Sequence, residues 1–152
     1  MGLCIYTPGM KQAYIPINHT NYITGERLDW QLTEKDIEEQ LLRLENIQII
    51  MHNGKFDYKV IKCTCGNDLK VYWDTYIAAR LLDENEPSAG LKQQYIDKID
   101  PEQEKYSIDH LFENVEYAWV EPEIFALYAA TDSMMTDKLY VYQVAILEAP
   151  GN

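Results

Sequence analysis

Twice in this chain a short apolar run is broken by a polar turn and followed at once by residues at helical spacing. Ile47-Gln48-Ile49-Ile50-Met51 is rich in β-branched residues and reads as a buried strand. His52-Asn53-Gly54 breaks it, and Phe56, Val60 and Ile61 then recur at a helical period. Lys70 to Trp73 reads as a second strand, after which Asp74 is placed to cap a helix running through Leu82. Strand–helix alternation restricts the fold to the α/β class, with helices covering a sheet.

The remaining elements fit that frame. Leu3 to Tyr6 and Gln12 to Ile17 read as strands joined by the turn signal Thr7-Pro8-Gly9, so they form a hairpin. His19 to Trp30 is polar and irregular. Thr33, with Asp36 three residues on, offers a weak capping box for a helix to Asn46 whose apolar stripe is Ile37, Leu41, Leu42 and Leu44. In the helix after Asp74, Ile77, Ala78, Leu81 and Leu82 are expected to face inward. Asp83 to Gly90 reads as a solvated loop, including Asp83, Glu84 and Glu86. Leu91 to Ile99 reads as a helix, Ser107 to Phe112 as a short one, and Pro122 opens a long C-terminal helix to about residue 148. The expectation is one domain over residues 1–152, a three-layer α/β domain with a mixed sheet.

Charge narrows the function. The chain has 13 basic and 25 acidic residues, a net charge of -12. That opposes tight, non-specific duplex binding, which requires clustered Lys and Arg to displace counterions. It is compatible with an enzyme that holds one strand end through metal ions. The three cysteines, Cys4, Cys63 and Cys65, make no disulfide framework. Cys63-Thr64-Cys65 lacks the second Cys or His pair that a zinc site requires, so the cysteines read as structural. With no signal peptide and no apolar stretch of spanning length, the chain reads as cytoplasmic, with no membrane partner.

Three residues carry candidate chemistry. Tyr128 and Asp132 lie four apart on the long helix, so they share a face. Asp57 lies just past a strand end, where ligand sites in α/β sheets concentrate. Carboxylates are hard oxygen ligands suited to Mg²⁺ or Mn²⁺, and a tyrosine hydroxyl can orient a water. Each short motif is also an ordinary turn or helix surface when taken alone.

Their combination and order are more specific. His52-Asn-Gly-Lys-Phe-Asp57, Trp73-Asp-Thr-Tyr-Ile-Ala-Ala-Arg-Leu-Leu82 and Tyr128-Ala-Ala-Thr-Asp132 follow one another here, with Glu86-Pro-Ser-Ala-Gly-Leu-Lys92 between the last two. Together they resemble the proofreading 3′–5′ exonuclease domain of family A DNA polymerases, in the subclass with Tyr in the third motif. The resemblance runs from about Leu3 to Leu147. It implies a ribonuclease H-like fold and two-metal hydrolysis of phosphodiesters at a single-stranded DNA 3′ end, with Mg²⁺ or Mn²⁺ as cofactor. It makes Asp57 and Asp132 metal ligands, Tyr128 the water-orienting group, and Asn53 and Phe56 substrate-side residues. Asp74 reads instead as a helix cap.

The family's first motif, Asp-x-Glu on a central strand ahead of the hairpin, has no counterpart upstream of Leu3. The chain therefore reads as an N-terminally truncated exonuclease of phage or bacterial origin, with impaired activity and weak single-strand binding. A polymerase domain on another chain, or self-association through the vacant strand position, would complete it. The alternative expectation is a catalytically inactive remnant that serves as a binding or scaffold module.

Overall fold

A computed structural model of the chain describes residues 2–44, 46–106 and 109–149. In order, the elements are β1 (Gly2–Ile5), β2 (Ala13–Pro16), α1 (Glu34–Leu42), β3 (Ile49–Met51), α2 (Gly54–Cys65), β4 (Val71–Asp74), α3 (Thr75–Leu82), α4 (Leu91–Lys98) and α5 (Pro122–Leu147). Three short 3₁₀ segments, Pro101–Tyr106, Asp109–Leu111 and Tyr117–Trp119, link α4 to α5. The short helix expected from Ser107 to Phe112 appears as the Asp109–Leu111 segment, and residues 107 and 108 lie outside the described residues.

β1 and β2 pair antiparallel, with Leu3 opposite Ile15 and Cys4 opposite Tyr14. Their turn is set by chemistry. Pro8 presets the backbone, Gly9 supplies the positive φ of 82°, and Met10 N–H donates to Thr7 O at 2.9 Å. β3 and β4 pair parallel, with Met51 opposite Asp74, and α2 is the crossover between them. Among the described residues the two pairs form two separate two-stranded sheets. The expected single mixed sheet is thus present as one antiparallel and one parallel ribbon that do not hydrogen-bond to each other.

The hairpin divides the interior by strand alternation. Leu3 and Ile15 pack with Ile49 and Met51 against Ile17, Ile37, Leu41, Ile61, Cys65 and Leu69. Cys4 and Tyr14, one residue along, point to a second core of Phe112, Phe125 and Ala129. Helices α1 and α2 therefore cover one face and α5 the other. The capping box at Thr33 forms in full, with Asp36 N–H donating to Thr33 Oγ1 at 3.2 Å and Thr33 N–H to Asp36 Oδ2 at 2.8 Å.

Helix α5 packs on α3, α4, β1, β2 and β3. A helix covered on several sides has no single apolar stripe, and α5 is apolar around most of its circumference. Leu139 at its centre is fully buried, which contributes about 2 kcal/mol. Gln143 ties α5 to the parallel ribbon. Its Oε1 accepts from Trp73 Nε1 at 3.0 Å, and its Nε2 donates to Thr75 O at 2.8 Å.

Two expectations fail. In α3 the buried positions are Thr75, Ala78 and Ala79, while Ile77 and Leu81 are exposed. The helix turns its small residues to α5, because they allow close approach. In the loop after α3, Glu86 is buried rather than solvated. Its carboxylate meets Lys98 Nζ of α4 at 2.9 Å, and its carbonyl accepts from Arg80 at 2.5 Å. Burial of a charge requires such partners.

Candidate active site

The strand ends of β3 and β4 are fastened by Asp74. Its Oδ1 accepts from Asn53 N–H at 3.0 Å and Tyr76 N–H at 2.9 Å, and its Oδ2 from Gly54 N–H at 2.9 Å. One carboxylate thus satisfies the first amides of both α2 and α3, as an N-cap carboxylate should. This engagement makes Asp74 a structural clamp, as its position before a helix suggests. Asn53 adopts a left-handed conformation, φ 56°, to turn the strand into α2. Gly54 suits a close approach, since a Cβ there would lie 3.1 Å from Met51 Cβ and 3.2 Å from Val71 Cγ2.

The clamp fixes Asp57 in the first turn of α2. Burial, and secondarily the negative field of Asp74, push its carboxyl above the usual range, while a backbone hydrogen bond holds it down. Asn53 and Phe56 sit beside it, and Phe56 is 65% exposed. His52 Nδ1 lies 2.9 Å from Thr75 Oγ1, and Thr75 donates to Met51 O at 3.3 Å, so the turn is braced from behind.

Tyr128 and Asp132 come from α5. The Tyr128 ring is held by Phe112 at 4.5 Å between centroids, Phe125 at 5.7 Å and Tyr117 at 6.4 Å. Phe125 in turn packs on Tyr14 and His19, at 5.3 Å and 6.0 Å. His19 is buried between Tyr14 and the start of α5. His19 Nδ1 lies 2.9 Å from Val120 O, which can only accept, so this nitrogen carries the proton. Nε2 then accepts from the Tyr14 hydroxyl at 2.5 Å. The Gln31 amide closes the arrangement, accepting from His19 N–H at 2.8 Å and donating to His19 O at 2.7 Å. Burial holds the His19 ring below its ordinary pKa.

The two parts meet at β1. Burial raises the Cys4 thiol to about 11, and the charges of Asp132 and then Asp57 add to the rise. Both carboxylates thus bear electrostatically on the Cys4 thiol of β1. Lys92 stands on the α5 side, with Nζ 4.2 Å from the Tyr128 ring centroid and 4.0 Å from Asp132 Oδ1. The contacts of Lys92 with Tyr128 and Asp132 and of His19 with Val120 join residues far apart in sequence, so no local signal marks them.

On donor chemistry, Asp57 and Asp132 suit a hard divalent cation. In number they fall short. Among the described residues no group of three or more His, Cys, Asp or Glu side chains could hold a metal ion.

Comparison with known proteins adds the lineage. The 3′-5′ exonuclease family matches residues 10–144. DNA polymerase I of Treponema pallidum is 30% identical over 125 residues, which cover 76% of this chain and 12% of that protein. DNA polymerase I of Borreliella burgdorferi is 32% identical over 97 residues, 62% of this chain and 10% of that protein. The chain spans about a tenth of the length of the curated relatives it matches. No solved structure matches. No helix among the described residues is long and apolar enough to cross a membrane. With the match covering most of its length, the chain belongs to the 3′-5′ exonuclease family of DNA polymerase I.

Proposed function

We infer that this chain is a proofreading-type exonuclease domain that binds the 3′ end of a single DNA strand and contributes half of a two-metal hydrolytic centre. The observation that carries this reading is the match of residues 10–144 to the 3′-5′ exonuclease family, with Asp57 in the first turn of α2 and Tyr128 one helical turn from Asp132 on α5. Asp57 and Asp132 are the metal ligands the chain contributes, Tyr128 orients the attacking water, and Asn53 and the exposed Phe56 line the strand end. Phe56 offers a face on which a base can stack. The cation is Mg²⁺ or Mn²⁺, and the work is cytoplasmic, beside DNA.

The remaining acids come on a strand that fits between β1 and β3. Two separate ribbons flanking one core support this: Leu3 and Ile15 of one and Ile49 and Met51 of the other pack against the same core, yet among the described residues their backbones do not pair. Unpaired buried backbone groups each cost about 1–3 kcal/mol, so an added strand stabilises the fold as it completes the site. A further polymerase segment supplies it, whereas self-association would fill the strand position without bringing the acids. Residues 1–152 then act as one unit whose hydrolysis is impaired alone, because two carboxylates cannot position two ions. An inactive binding or scaffold module is the second reading, and the lack of a three-donor cluster among the described residues favours it.

Degradation of a single strand in Mg²⁺ or Mn²⁺ separates these readings. The chain alone should give little product. Addition of a peptide strand bearing Asp-x-Glu should raise digestion, and the gain should vanish with Asp57→Ala or Asp132→Ala. Robust digestion by the chain alone would overturn the half-site account. Strand addition without any gain would favour the inactive module.

A further inference from the structure

Lys92 is the second residue of α4, whose first turn contains no acidic side chain. A cation at a helix N-terminus opposes the helix dipole, so this position does not serve α4 itself. Nor does it lock the fold, because an ion pair at 4.0 Å between side chains 32% and 40% exposed contributes little to stability. What the position does accomplish is to hold an ammonium against two groups of the centre at once, the Tyr128 ring and the Asp132 carboxylate.

A DNA strand entering this centre brings phosphodiester anions toward Asp57, Asp132 and a protein of net charge -12. Like charges would turn it away. An ammonium on a flexible four-carbon stem offsets that repulsion and can move a few ångströms without disturbing the backbone. Resting on the reading of the centre as a DNA 3′-end site, we propose that Lys92 is a substrate-positioning residue. Without DNA it rests on Tyr128 and Asp132. With DNA bound, its ammonium swings to the phosphate that links the terminal nucleotide. The terminal phosphodiester is thereby seated beside Tyr128 before any chemistry begins.

The test is binding of a short oligothymidylate to the full chain in EDTA, where no hydrolysis occurs, at graded sodium chloride. Lys92→Met keeps the aliphatic stem and should weaken binding about threefold to tenfold. It should also reduce the slope of log affinity against log salt by about 0.7, the value for one phosphate contact on a single strand. Lys92→Arg should restore the slope. Lys35→Met on α1, exposed and distant, should change neither. If the wild type binds and Lys92→Met binds equally, the proposal is overturned and the exonuclease reading stands. Weakened binding with an unchanged salt slope would mark Lys92 as structural and also overturn it. If the wild type binds no single strand, the reading of the site falls, and the proposal falls with it.

Discussion

The two sides of the candidate site are held by different physics. The Asp57 side is a strand end fastened by one carboxylate, Asp74, to the amides of Asn53, Gly54 and Tyr76. Every participant lies within about one βα unit of its partner. The Tyr128 side is fastened by aromatic packing and a buried histidine that joins Tyr14 to Val120 across most of the chain. The first arrangement is polar, local and directional. The second is mainly aromatic and long-range, with the His19 hydrogen bonds as its polar tie. The contrast shows where rigidity is supplied. The turn that carries Asp57 is fixed by hydrogen bonds, and the Tyr128 ring is fixed by surface contact.

The comparison can be broken most severely at Phe125. It is buried among Tyr14, His19, Phe112, Tyr117 and Tyr128. Phe125→Ala should destabilise the chain by about 3–5 kcal/mol, measured by urea unfolding. Hydrogen exchange should then rise first in the first half of α5 and in the β1–β2 hairpin, with α2 and β4 less affected. Equal loss of protection on both sides would mean that they are not separately held.

Asp74→Ala is the matching disruption of the polar side. It orphans amides at the starts of two helices and should cost about 2–3 kcal/mol. Its exchange pattern should be the reverse, with α2 and α3 opening while the Tyr14–His19–Phe125 cluster stays protected. Asp74→Asn, which keeps an acceptor oxygen, should recover part of the loss.

Acidification sharpens the contrast with a smaller effect. Burial lowers the pKa of His19 and also of His52, though Asp74 partly opposes the shift at His52. A lowered histidine pKa means that the unfolded chain takes up protons that the folded one refuses. Stability is therefore full above the ordinary histidine value of about 6.5 and is lost as pH falls below it toward the folded value. The urea midpoint should fall over that window. His19→Gln should flatten the fall while leaving the His52 contribution. An unchanged slope would show that His19 does not hold the Tyr14–Val120 connection in its neutral form.

The same contrast explains what could be read from sequence. The cap at Asp74, the capping box at Thr33, the strand–turn–helix at Asn53-Gly54 and the span of α5 all follow from neighbours a few residues apart. The pairing of Tyr128 with Asp132 follows from helical spacing. By contrast, the join of Tyr14, His19 and Val120, the burial of Glu86 against Lys98, and the place of Lys92 on Tyr128 depend on which helix meets which strand. No local period encodes that. Ile77 and Leu81 are exposed for the same reason: hydrophobicity predicts burial, but α5 demands the close approach that Ala78 and Ala79 allow.

The central claim is that Asp57 and Asp132, from these two differently built sides, act as one incomplete cation site. Titration of the chain with Mn²⁺, followed by electron paramagnetic resonance at neutral pH, tests it without reference to turnover. A single weak site is predicted, lost roughly tenfold or more in Asp57→Asn and equally in Asp132→Asn, with the double substitution no worse than either alone. Binding that survives either substitution, or two losses that simply add, would show that the carboxylates do not share an ion and would contradict the account.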